Sequence, residues 1–388
     1  MKQPLEGIRI ADFSHVMAGP FASHILRLMG AEVIKIEPKS GDQFRNYGGD
    51  RRFDGMSPAF IAANVGKKSI ALDLKDPEEL EIARKIVSKS DIFLENFRPG
   101  VIERLGLGYD AVKALRGDVI YCSVSGYGQT GPQRDWPAID NIVQATSGMM
   151  MLSGAEGDPP VRVGFPIVDT LTGQTAAVAI LGALMQRERS GEGAYIDVSM
   201  LDASLAFMTS ALTPYLVTGN NIKRLGNTGY SGLPTADLFE TKDGRHVSLG
   251  VVQDNQFAAL VKHIGCERWL EDARFATPDA RRANFEAMRD ELRQVFVTRD
   301  AADWEHELSA AGIPCGMIRR VDEAAQLCSK DSLLHLAVQG LPVSGPVAVP
   351  NIGFKMEPGE PGTDHSPPHI DENRAEILAW LEAEGEDK

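Results

Sequence analysis

Asp169 is the residue of this 388-residue chain whose type and setting best suit chemistry. The run before it, Val161 to Val168, is mostly β-branched or aromatic and carries Pro166, so it predicts a strand end or a loop. The stretch after it, Thr170 to Gln186, is almost wholly apolar and predicts a buried helix. Asp169 would then cap the helix N-terminus by accepting free backbone N–H groups. The helix dipole would also keep the carboxylate ionised at neutral pH, the state that a nucleophile needs.

The helix predicted after Asp169 contains Gly173 and Gly182, which suggests close packing against another element. Thr, Gly and Gln interrupt this stretch, so it is too short and too polar to be predicted as a membrane span. No signal peptide is recognisable, and the four cysteines have no CxxC or Cys/His ligand spacing. These features predict a cytoplasmic protein with reduced thiols, no membrane segment and no metal site.

Composition limits the possible functions. A chain of this length with 43% hydrophobic residues can bury a large core and is expected to form two domains. Its formal net charge of −14 argues against a nucleic-acid partner, because the phosphate backbone requires a surplus of Lys and Arg on one face.

The N-terminal third alternates strand and helix patterns. Pro20 predicts the first position of a helix that Gly30 ends, and Asp76 with Pro77 predicts the acid-rich start of another. Repeated βαβ units predict an α/β fold with a parallel sheet, whose ligands bind at the carboxyl ends of the strands. The five predicted strands are Gly7–Phe13, Glu32–Ile36, Ser69–Asp73, Asp91–Glu95 and Val119–Val124.

The first strand-to-helix loop argues against a dinucleotide site. The NAD fingerprint requires three glycines as GxGxxG, whereas the loop from Ser14 to Pro20 contains only Gly19. Glu37 ends the second strand, where a ribose-binding acid would stand, but beside Lys35 and Lys39 it is interpreted as a solvent-facing charge. An NAD-dependent oxidoreductase is therefore not favoured.

A change in composition marks a second domain. The polar, glycine-rich sequence after residue 216 predicts a linker at 217–224 and a smaller α+β domain at 225–330. The large domain would then comprise residues 1–216 and 331–388.

Local patterns predict smaller elements in the second half of the chain. The sequence around Asp243–Gly244 predicts a hairpin, and prolines from Gly340 onward predict irregular or edge-strand structure. The chain is expected to finish with a helix near Glu372 to Glu384 and a short, disordered charged tail. Apolar periodicity predicts three helices in the smaller domain, at Asn255–Ile264, Phe285–Phe296 and Ala302–Ala311.

Five stretches of the sequence, taken together, form a pattern that is more specific than any one of them. They are Pro4–Asp12 with His15–Pro20, Gly30–Glu37, Glu95–Gly100, Ser125–Pro132, and Asp169 with the helix after it. Taken together, these stretches resemble the class III CoA-transferases of the CaiB/BaiF type, which include formyl-CoA, carnitine-CoA and succinyl-CoA-dependent enzymes. The resemblance covers nearly the whole chain, and the combination is highly specific.

The resemblance implies a large Rossmann-like domain, built from N- and C-terminal segments with the smaller domain between them, and a homodimer of interlocked rings. It implies acyl-CoA and carboxylic acid substrates and no cofactor beyond coenzyme A itself. Lys39, Arg98 and Arg104 would meet the phosphates of CoA. The positions that correspond to CoA-binding residues of the family are Val16, Met17, Ala18, Lys39, Leu72, Lys75, Asn96, Phe97, Arg98 and Arg104.

In the mechanism that the resemblance implies, Asp169 attacks the acyl-CoA carbonyl, and a mixed anhydride and then an aspartyl-CoA thioester form. Neither His15 nor His24 takes part in it, so both are interpreted as structural. Backbone N–H groups of the glycine-rich turns at 126–131 and 226–232 are expected to stabilise the oxyanions. The glycines expected near the reaction are Gly126, Gly128, Gly229 and Gly232.

The acceptor is expected to be a short carboxylate or dicarboxylate. Arg45, Arg51 and Arg52 are candidates to meet the second carboxylate of an acid such as succinate, malate or glutarate. The second glycine-rich turn lacks the run of four glycines of the formyl-CoA branch, which argues against formyl and oxalyl transfer.

Two alternatives use acyl-CoA without transferring it. An α-methylacyl-CoA racemase of the same superfamily needs a His–Asp pair after the first glycine-rich turn, but Ile139 stands in place of the His and cannot accept a proton. The neighbouring Asp140 is interpreted as a hydrogen-bond acceptor for a nearby backbone turn. A protein that only binds acyl-CoA would need no nucleophile, and Asp169 would then be a helix cap alone.

Overall fold

A computed structural model describes residues 3–383, and the predicted charged tail lies outside the described residues. The chain forms two compact units. The larger contains the residues up to 150, 162–220 and those from 328 onward, and the smaller contains 151–161 and 221–327.

Residues 151–161 belong to the smaller unit, whereas the sequence prediction places them in the large domain. Hydrogen bonds to the glycine-rich segment explain the difference. The N–H of Gly226 donates to the carbonyl of Gly154 at 3.0 Å, and the Arg224 guanidinium donates to the carbonyl of Pro159 at 3.0 Å. These partners are far apart in sequence, so no local pattern could predict the pairing.

The larger unit is built on a six-stranded sheet whose strands all run parallel. The strands are β1 (Arg9–Asp12), β2 (Glu32–Glu37), β3 (Lys68–Ala71), β4 (Ile92–Glu95), β5 (Ile120–Ser125) and β6 (Ala194–Ser199). Their order is β3-β2-β1-β4-β5-β6, the order of the doubly wound nucleotide-binding folds. The strand order reverses between β1 and β4, so the loops that follow these two strands border the expected ligand crevice. The predicted parallel α/β fold is confirmed.

The sequence prediction misses β6, an edge strand that pairs with β5. Its side chains alternate in exposure, and Tyr195 remains 44% exposed. The continuous apolar run that identifies a buried central strand is therefore absent.

Helices cover the sheet of the larger unit. The predicted acid-rich start of α3 (Pro77–Ser88) is confirmed, and the Asp76 carboxylate caps this helix by accepting the N–H of Glu78 at 2.8 Å. Pro20 lies within α1 (Ala18–Leu28) rather than at its start, since this helix begins two residues earlier. The helices up to residue 220 are α1 (Ala18–Leu28), α2 (Pro58–Asn64), α3 (Pro77–Ser88), α4 (Val101–Arg104), α5 (Tyr109–Leu115), α6 (Asp140–Thr146), α7 (Ile167–Ser190), α8 (Met200–Phe207) and α9 (Thr209–Thr218).

The long helix α7 has 24 residues and is longer than predicted. By length and composition it could cross a membrane, which corrects the expectation that it is too short, although half of its most apolar window is buried within the protein. Gly173 allows α1 to pack closely, because a Cβ there would stand 2.7 Å from the carbonyl oxygen of Ala18. Gly182 makes no such close contact within residues 3–383, since an added Cβ there would meet nothing within 4 Å, so close packing at Gly182 stays a prediction.

The smaller unit contains an antiparallel sheet in the order β7-β8-β9, formed by β7 (Leu238–Glu240), β8 (His246–Leu249) and β9 (Cys315–Met317). The predicted hairpin joins the first two strands, and Gly244 has a φ of +71° in its turn. The predicted helices are confirmed as α10, α12 and α13. The helices of this unit are α10 (Asp254–His263), α11 (Pro278–Ala283), α12 (Phe285–Phe296), α13 (Ala301–Ala310) and α14 (Val321–Ala325).

The chain returns to the larger unit through a hairpin of β10 (Leu333–Leu336) and β11 (Val347–Pro350). The terminal helix α15 (Arg374–Ala383) follows, close to the predicted range. Its Ile377 and Leu381 join the apolar core on one face of the parallel sheet.

Candidate active site

Asp169 is the third residue of α7, so it lies inside the first helical turn rather than at the N-cap. Asp140, the first residue of α6, supplies acceptors at this helix start. Its Oδ2 accepts the N–H of Val168 at 2.8 Å and that of Asp169 at 3.2 Å, while its Oδ1 accepts from Gln144 at 2.6 Å. The interpretation of Asp140 as an acceptor for a nearby backbone turn is confirmed, whereas that of Asp169 as the cap is wrong.

The carboxylate of Asp169 accepts no hydrogen bond from any residue between 3 and 383. Burial, and then the negative charge of Asp140, raise the pKa of Asp169 to about 7. The expectation that Asp169 stays ionised at neutral pH is therefore wrong, because ionisation is only partial at a pKa of about 7. A helix dipole stabilises a nearby carboxylate by about 0.3–1 kcal/mol, which is less than the desolvation cost of a buried charge. Both protonation states of Asp169 are populated near pH 7.

Asp169 lines a cavity of about 220 Å³, called the Asp169 cavity below. Its walls come from the loops that follow β1, β4 and β5 and from the start of α7. The predicted site residues that it brings together are Val16, Met17, Ala18, Asn96, Phe97, Arg98, Gly126 and Asp169. The other lining residues are Pro99, Val124, Ser125, Arg134, Trp136, Ala138, Ile139, Asp140 and Met200.

A second cavity of about 450 Å³ lies beside β1, β2 and β3 and is called the Phe13 cavity. Phe97 lines both cavities, so the two are adjacent. The Phe13 cavity collects the predicted residues Lys39, Leu72 and Lys75. Its walls are mainly apolar, and the full lining is Phe13, His15, Ile36, Glu37, Pro38, Lys39, Ser40, Leu72, Asp73, Leu74, Lys75, Phe97 and Leu105.

Some predicted residues line neither cavity. Arg104 is exposed on α4, and Gly128 packs near the Asp197 carboxylate. Gly229 and Gly232 belong to the smaller unit, where their N–H groups donate to backbone carbonyls at 2.8 and 2.9 Å. These groups would have to leave their turns to bind an oxyanion, so the role of this loop stays a prediction.

The loop after β1 is held in a strained conformation. Val16 has a φ of +69°, a left-handed value that is costly for a β-branched residue. Hydrogen bonds maintain it on both sides. Asn96 accepts the N–H of His15 and donates to its carbonyl, each at 2.8 Å, and Asp42 accepts the N–H of Val16 at 3.1 Å. The amide of Asn96 therefore positions the wall of the Asp169 cavity.

A buried set of paired charges lies behind this loop and is called the Asp12 network. Its members are Asp12, Lys35, Glu37, Asp42, Arg45 and Lys67. Lys35 donates to Asp42 at 2.8 Å and to the carbonyl of Ser14 at 2.8 Å, and Lys67 lies 3.2 Å from Asp12. Burial alone would raise the pKa of Asp12, but Lys67 and Lys35 lower it to about 2.

Glu37 belongs to this network, so its interpretation as a solvent-facing charge is wrong. It is 1% exposed, and its two carboxylate oxygens accept from Arg45 at 2.8 and 2.6 Å. This bidentate pair occupies the Arg45 guanidinium. Arg45 is therefore not available to the second carboxylate of an acceptor.

Sequence reasoning missed Arg134, Trp136 and Met200 as lining residues of the Asp169 cavity. A signal existed for the first two, because they follow β5 at the carboxyl edge where ligands bind in parallel sheets. Met200 follows the unpredicted strand β6, so its position had no comparable signal. Within residues 3–383, no group of three or more His, Cys, Asp or Glu side chains is placed to hold a metal ion.

Comparison with known proteins gives the same family across the chain. The family model described as CoA-transferase family III matches residues 5–374. The chain is 41% identical to an acetyl-CoA:oxalate CoA-transferase of Acetobacter aceti, over 84% of this chain and 83% of that protein. It is 35% identical to a succinate–glutarate CoA-transferase of Agrobacterium fabrum, over 98% of this chain and 96% of that protein.

The fold has a close counterpart among solved structures. A CAIB/BAIF family protein from Brucella suis superposes with a TM-score of 0.88 at 29% identity, covering 98% of this chain and 100% of that one. The resemblance inferred from the five sequence stretches is thereby confirmed. This chain belongs to CoA-transferase family III and is a CoA-transferase.

Proposed function

We propose that this enzyme moves CoA from an acyl-CoA thioester to a short dicarboxylic acid, with Asp169 as the nucleophile. The observation that carries the proposal is the Asp169 carboxylate, which lines a small cavity and accepts no hydrogen bond within residues 3–383. The names of the relatives support small dicarboxylate acceptors, since they include oxalate, succinate and glutarate. Oxalate stays a candidate, although the chain lacks the four-glycine run.

Four substitutions at carbonyl carbons complete the reaction. The Asp169 carboxylate attacks the thioester and expels CoA thiolate, which leaves a mixed anhydride. The thiolate attacks the aspartyl carbonyl, releases the donor acid and forms an aspartyl-CoA thioester. The acceptor carboxylate displaces the thiolate again, and the thiolate then attacks the acceptor carbonyl, which regenerates Asp169. No oxidation state changes and no net proton is consumed, so the sequence of steps has no use for a redox cofactor.

The raised pKa of Asp169 fits this sequence of steps. A carboxylate without hydrogen-bond donors is poorly solvated, which makes it a stronger nucleophile once it is ionised. Its position in the cavity would also limit the access of water that hydrolyses the anhydride and the thioester. We propose Gly126 as the nearer source of an oxyanion donor, because it lines the Asp169 cavity.

The Phe13 cavity suits the nucleotide end of CoA. The apolar walls can hold the adenine ring. Lys39 and Lys75 also line this cavity and can pair with the phosphates. Lys39 pairs with Glu79 at 2.5 Å, whereas Lys75 has no ion-pair partner within residues 3–383. Phe97 would then mark the passage along which the pantetheine arm reaches Asp169.

We also propose the homodimer. The larger unit exposes apolar side chains on two of its helices, with Val178 of α7 69% exposed and Val217 of α9 78% exposed. A second copy of the chain would cover such residues. Light scattering gives the mass, and mixing differently tagged chains tests interlocking, which predicts negligible exchange over hours.

Mass spectrometry of a donor and acceptor matrix tests the proposed activity. Acyl-CoA donors are mixed with mono- and dicarboxylic acids, and we expect CoA to pass to a dicarboxylate in the wild type but not in Asp169→Asn. The racemase alternative is tested with a 2-methylacyl-CoA in heavy water. We expect no α-deuterium at a catalytic rate, because Ile139 lines the Asp169 cavity where a base would be needed. Deuteration without transfer would overturn the proposal.

A further inference from the structure

The three arginines that the sequence suggested for the acceptor are poorly placed for it. Arg45 is bound by Glu37 within the Asp12 network, and Arg52 pairs with Asp50 at 2.7 Å. Neither they nor Arg51 line the Asp169 cavity. The two cations that do line it are Arg98 and Arg134, and the sequence suggested neither for the acceptor.

Arg134 has unused hydrogen-bonding capacity. Its Nε is buried and has no hydrogen-bond partner within residues 3–383. Its Nη1 lies 3.9 Å from the carboxylate of Asp135, which is beyond hydrogen-bond distance, and the Asp135 side chain is 81% exposed. A buried guanidinium N–H without an acceptor is rare in folded proteins, because its desolvation is not compensated. The unoccupied Nε therefore points to an anion that binds in the cavity.

The setting of Arg134 argues for a small anion. The Asp169 cavity measures about 220 Å³, below the range of about 300–1,000 Å³ typical of sites for drug-sized ligands. Its volume suits the reacting thioester with an acid of a few carbons, and under the proposed function the nucleotide of CoA lies in the larger Phe13 cavity. An acid with two carboxylates also needs a cation here, because its second carboxylate would otherwise share the cavity with the carboxyl groups of Asp140 and Asp169 and no counter-charge.

We propose that Arg134 binds the carboxylate of the acceptor that does not react, through Nε and one Nη, and thereby selects dicarboxylic over monocarboxylic acids. The inference rests on the proposed transferase function and assigns the acceptor end of its site. A planar guanidinium suits this task because its parallel N–H groups match the two oxygens of a carboxylate. The other carboxylate of the acceptor would then be free to attack the aspartyl-CoA thioester.

The test compares two acceptors of equal carbon number, one a dicarboxylate that the wild type uses and the other the matching monocarboxylate. With Arg134→Met we expect the KM of the dicarboxylate to rise about 10- to 100-fold, the range for a lost charge-assisted hydrogen bond. The KM values of the monocarboxylate and of the acyl-CoA donor should change less than about twofold. Arg134→Lys keeps the positive charge but loses the planar pair of N–H donors, so the rise in the KM of the dicarboxylate should be intermediate.

Arg51→Met is the matched control, because it removes an exposed cation that does not line the cavity. It should leave all three KM values unchanged. A rise in the KM of the acyl-CoA donor alone would overturn the inference and assign Arg134 to a CoA phosphate. Equal losses for both acceptors would overturn it as well and make Arg134 structural. Failure of the proposed function is distinct, because the wild type would then transfer CoA to neither acid.

Discussion

Two acids of the larger unit, the buried Asp12 and the half-buried Asp169, have opposite electrostatic settings. Asp12, at the end of β1, lies within reach of Lys67 and accepts hydrogen bonds from the N–H of Ser14 at 2.9 Å and the hydroxyl of Ser23 at 2.5 Å. Asp169, in the first turn of α7, has no donor within residues 3–383 and faces Asp140. The pKa of Asp12 is about 2 and that of Asp169 about 7. Burial alone therefore does not set the charge state, because the surrounding groups decide it.

The two settings correspond to two roles, because the paired Asp12 stabilises the structure whereas the unpaired Asp169 is available to react. The paired charges of the Asp12 network hold the loop that carries Val16 in its left-handed conformation, and this loop forms one wall of the Asp169 cavity. The unpaired carboxylate in that cavity keeps its lone pairs available for an incoming carbonyl. Changes in the network should therefore affect stability and geometry, whereas changes around Asp169 should affect chemistry.

The largest effect is expected for Asp12→Asn. Removing one partner of a buried ion pair leaves Lys67 without its counter-charge, which should lower the free energy of unfolding by about 3–5 kcal/mol. Urea denaturation followed by circular dichroism measures the loss. Asp169→Asn is the matched control, since it makes the same substitution at an unpaired acid and should cost little stability. Equal losses in the two variants would contradict the comparison.

The pH dependence of stability should separate the same two acids. Because the pKa of Asp12 is lowered to about 2, Asp12 makes its full contribution to the free energy of unfolding above about pH 4. That contribution is lost as the pH falls through about 2. Because the pKa of Asp169 is raised to about 7, Asp169 makes its full contribution to the free energy of unfolding below about pH 4. That contribution is lost as the pH rises through about 7.

Urea denaturation between about pH 4 and pH 8 checks this difference. As the pH rises, Asp169→Asn should gain stability relative to the wild type, because the wild type must ionise a buried carboxylate. The difference between Asp12→Asn and the wild type should stay constant over the same range. A constant difference for Asp169→Asn would show that its pKa is not raised.

A smaller effect is expected for Asp42→Asn, which weakens the interactions that fix the Val16 loop in the wall of the Asp169 cavity. The amide retains an acceptor for a backbone N–H but loses the charge that pairs with Lys35. We expect kcat/KM for the acyl-CoA donor to fall about tenfold, because the Val16 loop would lose its fixed position. The control is Asp50→Asn, an exposed acid paired with Arg52. An unchanged kcat/KM would place the loop outside the catalytic geometry.

The smallest effect is expected for Asp140→Asn. The amide oxygen can still accept the N–H groups at the start of α7, but the negative charge beside Asp169 is gone. The pKa of Asp169 should fall, so the acidic limb of kcat/KM for the donor, centred near pH 7 in the wild type, should move to lower pH. A pH–rate profile measures the shift. A profile that is unchanged, or moved to higher pH, would contradict the coupling of the two acids.

Much of the fold could be predicted because its signals are local. The buried runs of β1 to β5, the cap at Asp76 and the turn at Gly244 each depend on neighbouring residues. The edge strand β6 escaped prediction because its sequence lacks the continuous apolar run of a buried central strand. The motif stretches also placed Val16 and Asn96 in one site, since loops after adjacent parallel strands meet at the same edge of a sheet.

The electrostatics of the site could not be predicted from the sequence. The pKa of Asp169 depends on Asp140, which lies 29 positions earlier, and on burial that only the packed fold defines. The availability of an arginine likewise depends on its partners. Arg45 is bound by Glu37, whereas the Nε of Arg134 remains without an acceptor within residues 3–383. Sequence patterns identify residue types but do not identify such long-range pairs.

The most direct measurement traps the covalent intermediate on Asp169. The enzyme is incubated with acyl-CoA and hydroxylamine, which converts an aspartyl anhydride or thioester into a hydroxamate, and the peptide that contains residue 169 is analysed by mass spectrometry. The mechanism predicts modification of Asp169 only when acyl-CoA is present, and no transfer by folded Asp169→Asn or Asp169→Ala. Modification of a different acidic residue, or CoA transfer that survives in both variants, would contradict the assignment of Asp169 as the nucleophile.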